Sequence, residues 1–352
     1  MPFHGQKFNF IPHNSIVVKG LERYSAINRG EAVAKFQIAK RIEAERVEGL
    51  EELLRVHSKL KREFKRIFSE SDLRILNEEA AKYSFLHLKR DLLKEMLKAC
   101  NFCERKCGVN RYETTGFCKC SSTSHYSSEF LHLGEEPELV PSHTIFFNRC
   151  TFACVFCQNY DIVYTDDMVA NPEELAMLID VRYRQGSRNV NFVGGNPDQH
   201  AHTIAEILLN VRSNIPVVWN SNMYHSEELA DVIEDFVDVW LGDFKYGNNS
   251  CALRYSKAPR YMEVVTRNFL RAKENGELLI RHLVMPNHIL CCTEKIVDWV
   301  AENLGEEVRF NLMFQYHPTF KAYEYPEISR RLTGEEMKMA YEIALRRLSN
   351  LV

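Results

Sequence analysis

The sequence predicts an α/β fold, an open barrel-like sheet built from six βα units behind a helical N-terminal region and a cysteine-rich segment. Three observations carry this expectation. From residue 143 onward, short apolar runs alternate with helical runs six times. Residues 30–100 are instead rich in Glu, Lys, Arg, Leu and Ala, with apolar positions near helical spacing. Of eleven cysteines, five fall between Cys100 and Cys120 and three between Cys150 and Cys157.

The 352 residues suit two domains or one large one, at about 150 residues per domain. With 45% hydrophobic and 26% charged residues the chain can bury a core, which argues against wholesale disorder. A net charge of −3 gives no general electrostatic reason to bind nucleic acid or anionic lipid.

Residues 1–24 carry no period and read as an irregular arm without a basic region and apolar run of the signal-peptide kind. No apolar stretch approaches the 18 residues of a membrane span. An odd number of cysteines fits poorly with a closed set of disulfides, so a cytoplasmic setting is expected, where clustered thiols serve as metal ligands or redox groups. Next come two or three amphipathic helices, with Leu50, Leu53, Leu54, Val56 and Leu60 marking one and a break near Ser69-Glu70-Ser71-Asp72. This gives an arm and helical domain over 1–98, a loop-like cysteine-rich metal-binding segment over 99–140, and the barrel over 141–352. Strands are expected at 143–148, 189–193, 216–220, 238–243, 278–285 and 308–314. Helices are expected at 172–186, 197–213, 226–236, 259–275, 293–304 and 334–348. Six units are fewer than the eight of a closed barrel, so the sheet reads as a partial (β/α)6 TIM-like barrel with ligands at the C-terminal strand ends.

The loop after the first of these strands holds Cys150-x3-Cys154-x2-Cys157. Three thiolates at this spacing can hold three irons of a [4Fe–4S] cluster and leave the fourth open to a small molecule. The alternatives are three core cysteines on one helix face and a zinc site with a remote fourth ligand. Upstream, Cys100-x2-Cys103-x3-Cys107 is followed by Cys118 and Cys120, enough thiolates for a closed zinc site or a second [4Fe–4S] cluster.

Other polar groups follow the strands. Gly194 and Gly195 permit close backbone approach to a ligand at the end of the second. Asn220 and Ser221 after the third suit a ribose or carboxylate, while Ser226 suits a helix cap. Asp243 and Lys245 share one face of the fourth, as a salt bridge or a ligand contact. Arg281 in the fifth suits a planar carboxylate. His200, His202 and His317 are loop or helix-start histidines.

The cysteine loop, with Phe156 before its last cysteine, resembles that of the radical S-adenosylmethionine (SAM) superfamily. With it, in order, run Cys103-Glu-Arg-Lys-Cys107-Gly-Val-Asn-Arg111, Thr144-Ile-Phe-Phe, Cys157-Gln-Asn-Tyr160, Val239-Trp-Leu-Gly-Asp-Phe-Lys-Tyr246, Ile280-Arg-His-Leu-Val-Met-Pro-Asn287 and Asn311-Leu-Met-Phe-Gln-Tyr316. Together these resemble the pyruvate formate-lyase activating enzyme-like branch with an upstream cysteine-rich segment, over residues 100–345. The resemblance implies a [4Fe–4S] cluster on Cys150, Cys154 and Cys157, SAM on its open iron, and a second metal site, zinc or [4Fe–4S], on Cys100, Cys103, Cys107 and Cys118. It implies that Phe156 lies beside the adenine and that Gly194, Gly195 and Asn196 hold the SAM amino group, Asn196 standing where the family has Glu. It places Asp243 and Lys245 near SAM, or a cation at Asp243, with Arg281 at the SAM carboxylate or substrate and His317 at the adenosine.

The expected activity is reductive cleavage of SAM and hydrogen abstraction by a 5′-deoxyadenosyl radical from a protein, peptide or small molecule, as in a glycyl-radical enzyme activase. Its expected partners are a low-potential donor of flavodoxin or ferredoxin type and a protein substrate. The alternative is a non-catalytic iron–sulfur or zinc protein for electron transfer or sensing. RNA modification has precedent in the superfamily, but the balanced charge counts against it.

Overall fold

The six apolar runs lie side by side in one sheet in the computed structural model, which describes residues 17–70 and 73–352. Strands β1 (His125–His132), β2 (Ser142–Phe147), β3 (Met168–Val169), β4 (Asn189–Gly194), β5 (Val217–Ser221), β6 (Val239–Asp243), β7 (Glu277–Leu283) and β8 (Arg309–Met313) stand in the order β3-β1-β2-β4-β5-β6-β7-β8. From β2 to β8 every neighbouring pair is parallel. Each strand after β2 is separated from the last by a helix: α6 (Pro172–Arg184), α7 (Ala201–Asn210), α8 (Glu227–Ile233), α10 (Tyr261–Asn275) and α11 (Glu294–Asn303), with α12 (Gly334–Arg347) after β8. The sheet stays open, so the partial barrel holds.

The ends of the helices follow their capping chemistry. Pro172 occupies the first turn of α6, where Asn171 Oδ1 accepts from the N–H groups of Glu173 and Glu174 at 3.0 and 3.3 Å. Ser226 caps α8 by accepting from Leu229 N at 3.1 Å, as the sequence suggests. Thr333 and Glu336 form a reciprocal capping box on α12.

Four expectations change. Strand β1 runs through the segment read as loop, and with β3 it adds an antiparallel edge to the six parallel strands. Its mix of Ser, Glu, Phe and His is too polar to mark a strand, and none of its residues is fully buried. Helix α1 (Glu22–Arg29) begins inside the expected arm, of which residues 1–16 lie outside the described residues. Two short helices were also not expected, α5 (Tyr160–Val163) after the cysteine loop and α9 (Asn249–Ser256) after β6. At the break near 69–72, α3 (Leu50–Glu70) ends at Glu70, and Ser71 and Asp72 lie outside the described residues.

On α3, Leu53, Val56, Leu60 and Phe64 are buried on one face while Leu50 and Leu54 are exposed. Each buried side chain of this size contributes about 1.5–3 kcal/mol. With α2 (Lys35–Ala39) and α4 (Phe85–Met96), α3 packs on the barrel through α7 and α8, and a single apolar core runs from these helices into the sheet. Among the described residues no helix is long and apolar enough to cross a membrane.

Candidate functional site

The C-terminal ends of the parallel strands open into a cavity of about 530 Å³, within the usual range for small-molecule sites. Cys150, Cys154 and Cys157 line it, in the loop that leaves β2. Phe156, Gly194, Gly195, Asn196, Asn220, Ser221, Asp243, Lys245 and Arg281 also line it, so the fold gathers nine dispersed residues around the three thiols. His317 does not line it. It sits at the rim, half-exposed or more, with Nδ1 3.2 Å from Gln158 Nε2. His200 and His202 are buried structural residues, their Nε2 atoms each 2.8 Å from a backbone carbonyl, of Asn148 and Ser122.

Each thiol has polar support. Cys150 Sγ accepts from the Phe152 N–H at 3.3 Å and from Asn222 Nδ2 at 3.6 Å. Cys154 Sγ lies 2.9 Å from Ser256 Oγ, at the end of α9, which is itself 2.5 Å from Tyr246 Oη. Burial pushes all three thiols up, Cys157 to about 12, so an added positive charge is needed to hold them as thiolates. A cluster supplies such a charge. The donor set also fits a cluster better than a single ion: no three of the upstream or loop thiols come within 4.8 Å of one another. One tetrahedral zinc would draw its sulfurs to about 3.8 Å, from Zn–S bonds of about 2.3 Å.

The two glycines also permit a close approach within the chain. A Cβ on Gly194 would lie 2.0 Å from the Phe147 carbonyl oxygen, and one on Gly195 would lie 1.7 Å from that of Arg149. Their freedom, including φ of +120° at Gly194, lets the β4 end pass against the backbone that leads into Cys150. Asn196 is turned the same way. Its Oδ1 accepts from Asn222 N at 3.0 Å, and Gln199 accepts from Thr151 N at 2.7 Å while donating to the Asn196 carbonyl at 2.9 Å. Asn196 and Gln199 together therefore tie three loops. Ser221 is engaged locally, accepting from Met223 N at 3.1 Å. The Asn220 amide has no protein hydrogen-bond partner among the described residues and faces the cavity as a free polar group.

The charges are also paired. Lys245 Nζ donates to Asp243 Oδ2 at 2.6 Å. Burial opposes the ammonium, but Asp243, with negative charge at Cys154 and Cys150 whenever they are thiolates, outweighs it and raises its pKa. Arg281 does not stand free for a SAM or substrate carboxylate. It donates to both oxygens of Glu136, each at 2.6 Å, and to Glu135. Asn311 Nδ2 donates to Glu136 at 2.8 Å and Asn191 Nδ2 to Glu135 at 3.2 Å. Glu135 and Glu136, in the turn between β1 and β2, are cavity residues that sequence reasoning missed. Their signal was two adjacent carboxylates after Gly134, in a stretch read only as loop.

Phe156 is buried and meets Tyr246 and Tyr316 edge-on, with centroids 6.4 and 5.9 Å apart. One face of the cavity is therefore aromatic, suited to a purine.

Upstream, Cys100, Cys103, Cys107 and Cys118 all line one small enclosed pocket with Phe102, Arg105, Arg111 and Phe117, and Cys120 does not. Gly116 makes room there, since a Cβ would lie 2.7 Å from Cys107 Sγ. The Cys118 thiol is lowered to about 6, first by a hydrogen bond from Cys120 and then, against burial, by Arg111. A further depression, of about 720 Å³ between α3, α8 and α10, holds no thiol, and its Lys61, Asp231, Glu234 and Arg271 pair with one another.

Residues 144–300 match the model of the radical SAM superfamily. A Methanocaldococcus jannaschii protein described as uncharacterized protein MJ0674 is 49% identical over 334 residues, spanning 92% of this chain and 96% of its own. Solved structures resemble the chain weakly. Methylornithine synthase (PylB) matches at 12% identity and a TM-score of 0.42, over 79% of this chain and 73% of its own. Streptococcus suis SuiB bound to S-adenosylmethionine matches at 13% and 0.41, over 57% of this chain and 47% of its own, so the chain spans about half of that protein. The cysteine loop, the parallel sheet that carries it and the matched segment coincide: the chain belongs to the family of MJ0674, and its residues 144–300 are a radical SAM superfamily domain.

Proposed function

We propose that the chain is a radical SAM enzyme that cleaves SAM reductively and abstracts a hydrogen atom from its substrate. The supporting observation is the cavity at the strand ends, where three thiols with one open ligand position meet Phe156 and the free amide of Asn220. When bound, the cluster and SAM supply the electron transfer and the 5′-deoxyadenosyl radical. The chain's own part is to hold and orient. Cys150, Cys154 and Cys157 would hold the cluster, and Lys245, whose charge interacts with Cys154 and Cys150, would favour added negative charge there. Phe156 would pack the adenine, and Asn220 would donate to or accept from the ribose or the amino acid part of SAM. Asn196, Gln199 and Asn222 keep the cluster loop registered against the next two strands. The buried wall of Phe152, Phe156 and Val163 excludes water from the site.

The electron comes from a flavodoxin- or ferredoxin-type donor. The substrate is a protein, a peptide or a small molecule, and the motif run supports activation of a glycyl-radical enzyme as one such reaction. The upstream thiols hold a second [4Fe–4S] cluster, since their spread exceeds what one zinc ion would draw together.

Anaerobic reconstitution, iron counting, reduction and addition of SAM test this reading. Release of 5′-deoxyadenosine is expected, and a fully loaded protein that leaves SAM intact refutes it. Cys154→Ala is expected to abolish cleavage, and retained activity in that variant would overturn the ligand assignment.

A further inference from the structure

Cys251, Cys291 and Cys292 stand outside both cysteine groups, and by sequence they read as core residues. The fold brings them together. Cys251 lies in the first turns of α9, after β6, and Cys291 and Cys292 lie in a π turn, Ile289–Thr293, after β7. Their Sγ atoms all lie within 4.8 Å of one another, with Cys291 and Cys292 4.0 Å apart. Among the described residues no other three Cys, His, Asp or Glu side chains meet this closely.

An imidazole stands beside them. The His288 ring flanks the Cys251 thiol, with its nitrogens farther than 4.8 Å from at least one of the three sulfurs. Its Nδ1 lies 2.7 Å from the Pro286 carbonyl oxygen, which only accepts, so the network assigns the proton to Nδ1 and leaves the Nε2 lone pair for the sulfur side. Asn248 locks the rest in place. Its Oδ1 accepts from Cys251 N at 2.8 Å, while its Nδ2 donates to the Cys291 carbonyl at 2.9 Å and to Cys292 Sγ at 3.7 Å. Gly247 permits this contact, since a Cβ there would lie 2.6 Å from the Cys292 carbonyl oxygen. A π turn of this kind is frequent at functional sites.

Unrelated core thiols have no reason to converge with an imidazole whose tautomer is already set. One disulfide would leave the third thiol unused, and the Cys291 and Cys292 sulfurs, 4.0 Å apart, stand well beyond the bond of about 2.05 Å. The separation instead approaches the roughly 3.8 Å that a tetrahedral ion with Zn–S bonds of about 2.3 Å imposes. We propose that Cys251, Cys291 and Cys292 hold one structural zinc ion, with the neighbouring His288 turning in as its fourth ligand, apart from the cysteine groups at 100–120 and 150–157. The ion ties the loop carrying Asp243 and Lys245 to the turn after β7. It also anchors α9, whose Ser256 touches Cys154 Sγ at 2.9 Å.

The test uses the full chain isolated anaerobically. Elemental analysis is expected to find one zinc per chain, and zinc-edge absorption to find three sulfurs at about 2.3 Å and one nitrogen at about 2.0–2.1 Å. Cys251→Ser and His288→Gln are each expected to lower zinc by up to one equivalent with iron unchanged. Thiol alkylation of the wild-type protein, mapped by mass spectrometry, covers the case in which a variant fails to fold. Cys251 and Cys291 are both half-buried, and are expected to label only after a zinc chelator is added. Zinc content unchanged in the variants, iron in place of zinc at this site, labelling independent of the chelator, or a native disulfide among the three would each overturn the proposal.

Discussion

Single side chains decide how the cluster loop is tuned. Ser256 is the clearest case, because its hydroxyl contacts Cys154 Sγ and comes from a helix 102 residues away in sequence. Hydrogen bonds to cluster sulfurs raise reduction potential by stabilising the more negative state. Ser256→Ala is therefore expected to keep its iron, lower the midpoint potential and slow SAM cleavage. A redox titration followed by electron paramagnetic resonance checks this, and an unchanged midpoint would make the hydroxyl a packing group only. Arg281 shows how far a residue type alone can mislead. A guanidinium at a strand end suits a carboxylate, and it has two, but both belong to the chain. Nothing in the local sequence around Arg281 announces Glu135 and Glu136, which precede it by about 145 residues.

At the scale of elements, buried charges join the N-terminal helices to the barrel. Lys89 of α4 is fully buried and donates to Asp235 at 2.7 Å and to the Val232 carbonyl at 2.8 Å, with His57 Nε2 of α3 2.9 Å away. Removing one partner of such a pair leaves the other uncompensated, at about 3–5 kcal/mol. Lys89→Met is expected to lower the unfolding free energy by that order in denaturant titration, and a change below about 1 kcal/mol would show that Asp235 finds another partner. A second link holds β1 to its neighbours. Glu129 accepts from His143 of β2 at 2.7 Å and from Arg182 of α6 at 2.8 Å. The His143 hydrogen bond, against burial and with help from Arg182, lowers its carboxyl from 4.5 to about 2. The fold thus favours the ionised form. That stabilisation is complete above about pH 4.5 and is lost as pH falls toward about 2. Glu129→Gln is expected to flatten the loss of stability across this window, measured by urea unfolding at successive pH values. An unchanged slope would assign acid sensitivity elsewhere.

Across the whole molecule, the cysteines divide into three sites on one frame. The loop after β2 holds three thiols at the strand-end cavity, four upstream thiols line a second pocket, Cys120 supports Cys118, and the remaining three converge beside His288. Iron is expected at about eight atoms per reconstituted chain if both proposed clusters form, two four-iron units. Cys103→Ala is expected to remove about half of it while leaving the SAM-cleaving cluster. Loss of all iron would join the two sites into one cooperative unit.

The sequence by itself determined the strand and helix runs, the Ser226 cap and the clustering of the thiols. Each run, cap and cluster depends on residues close together in the chain, so period and spacing record them directly. The polar groups at the ends of β4 to β7 were also legible as cavity residues, since the C-terminal ends of parallel strands converge. Tertiary structure alone decided the rest: the strand at 125–132, the pairing of Arg281, the backbone contacts that require Gly194 and Gly195, and the meeting of Cys251 with Cys291 and Cys292. Each of these joins positions tens to hundreds of residues apart. Their energies arise only once packing has brought the groups together and removed the water between them, and no local pattern encodes that event.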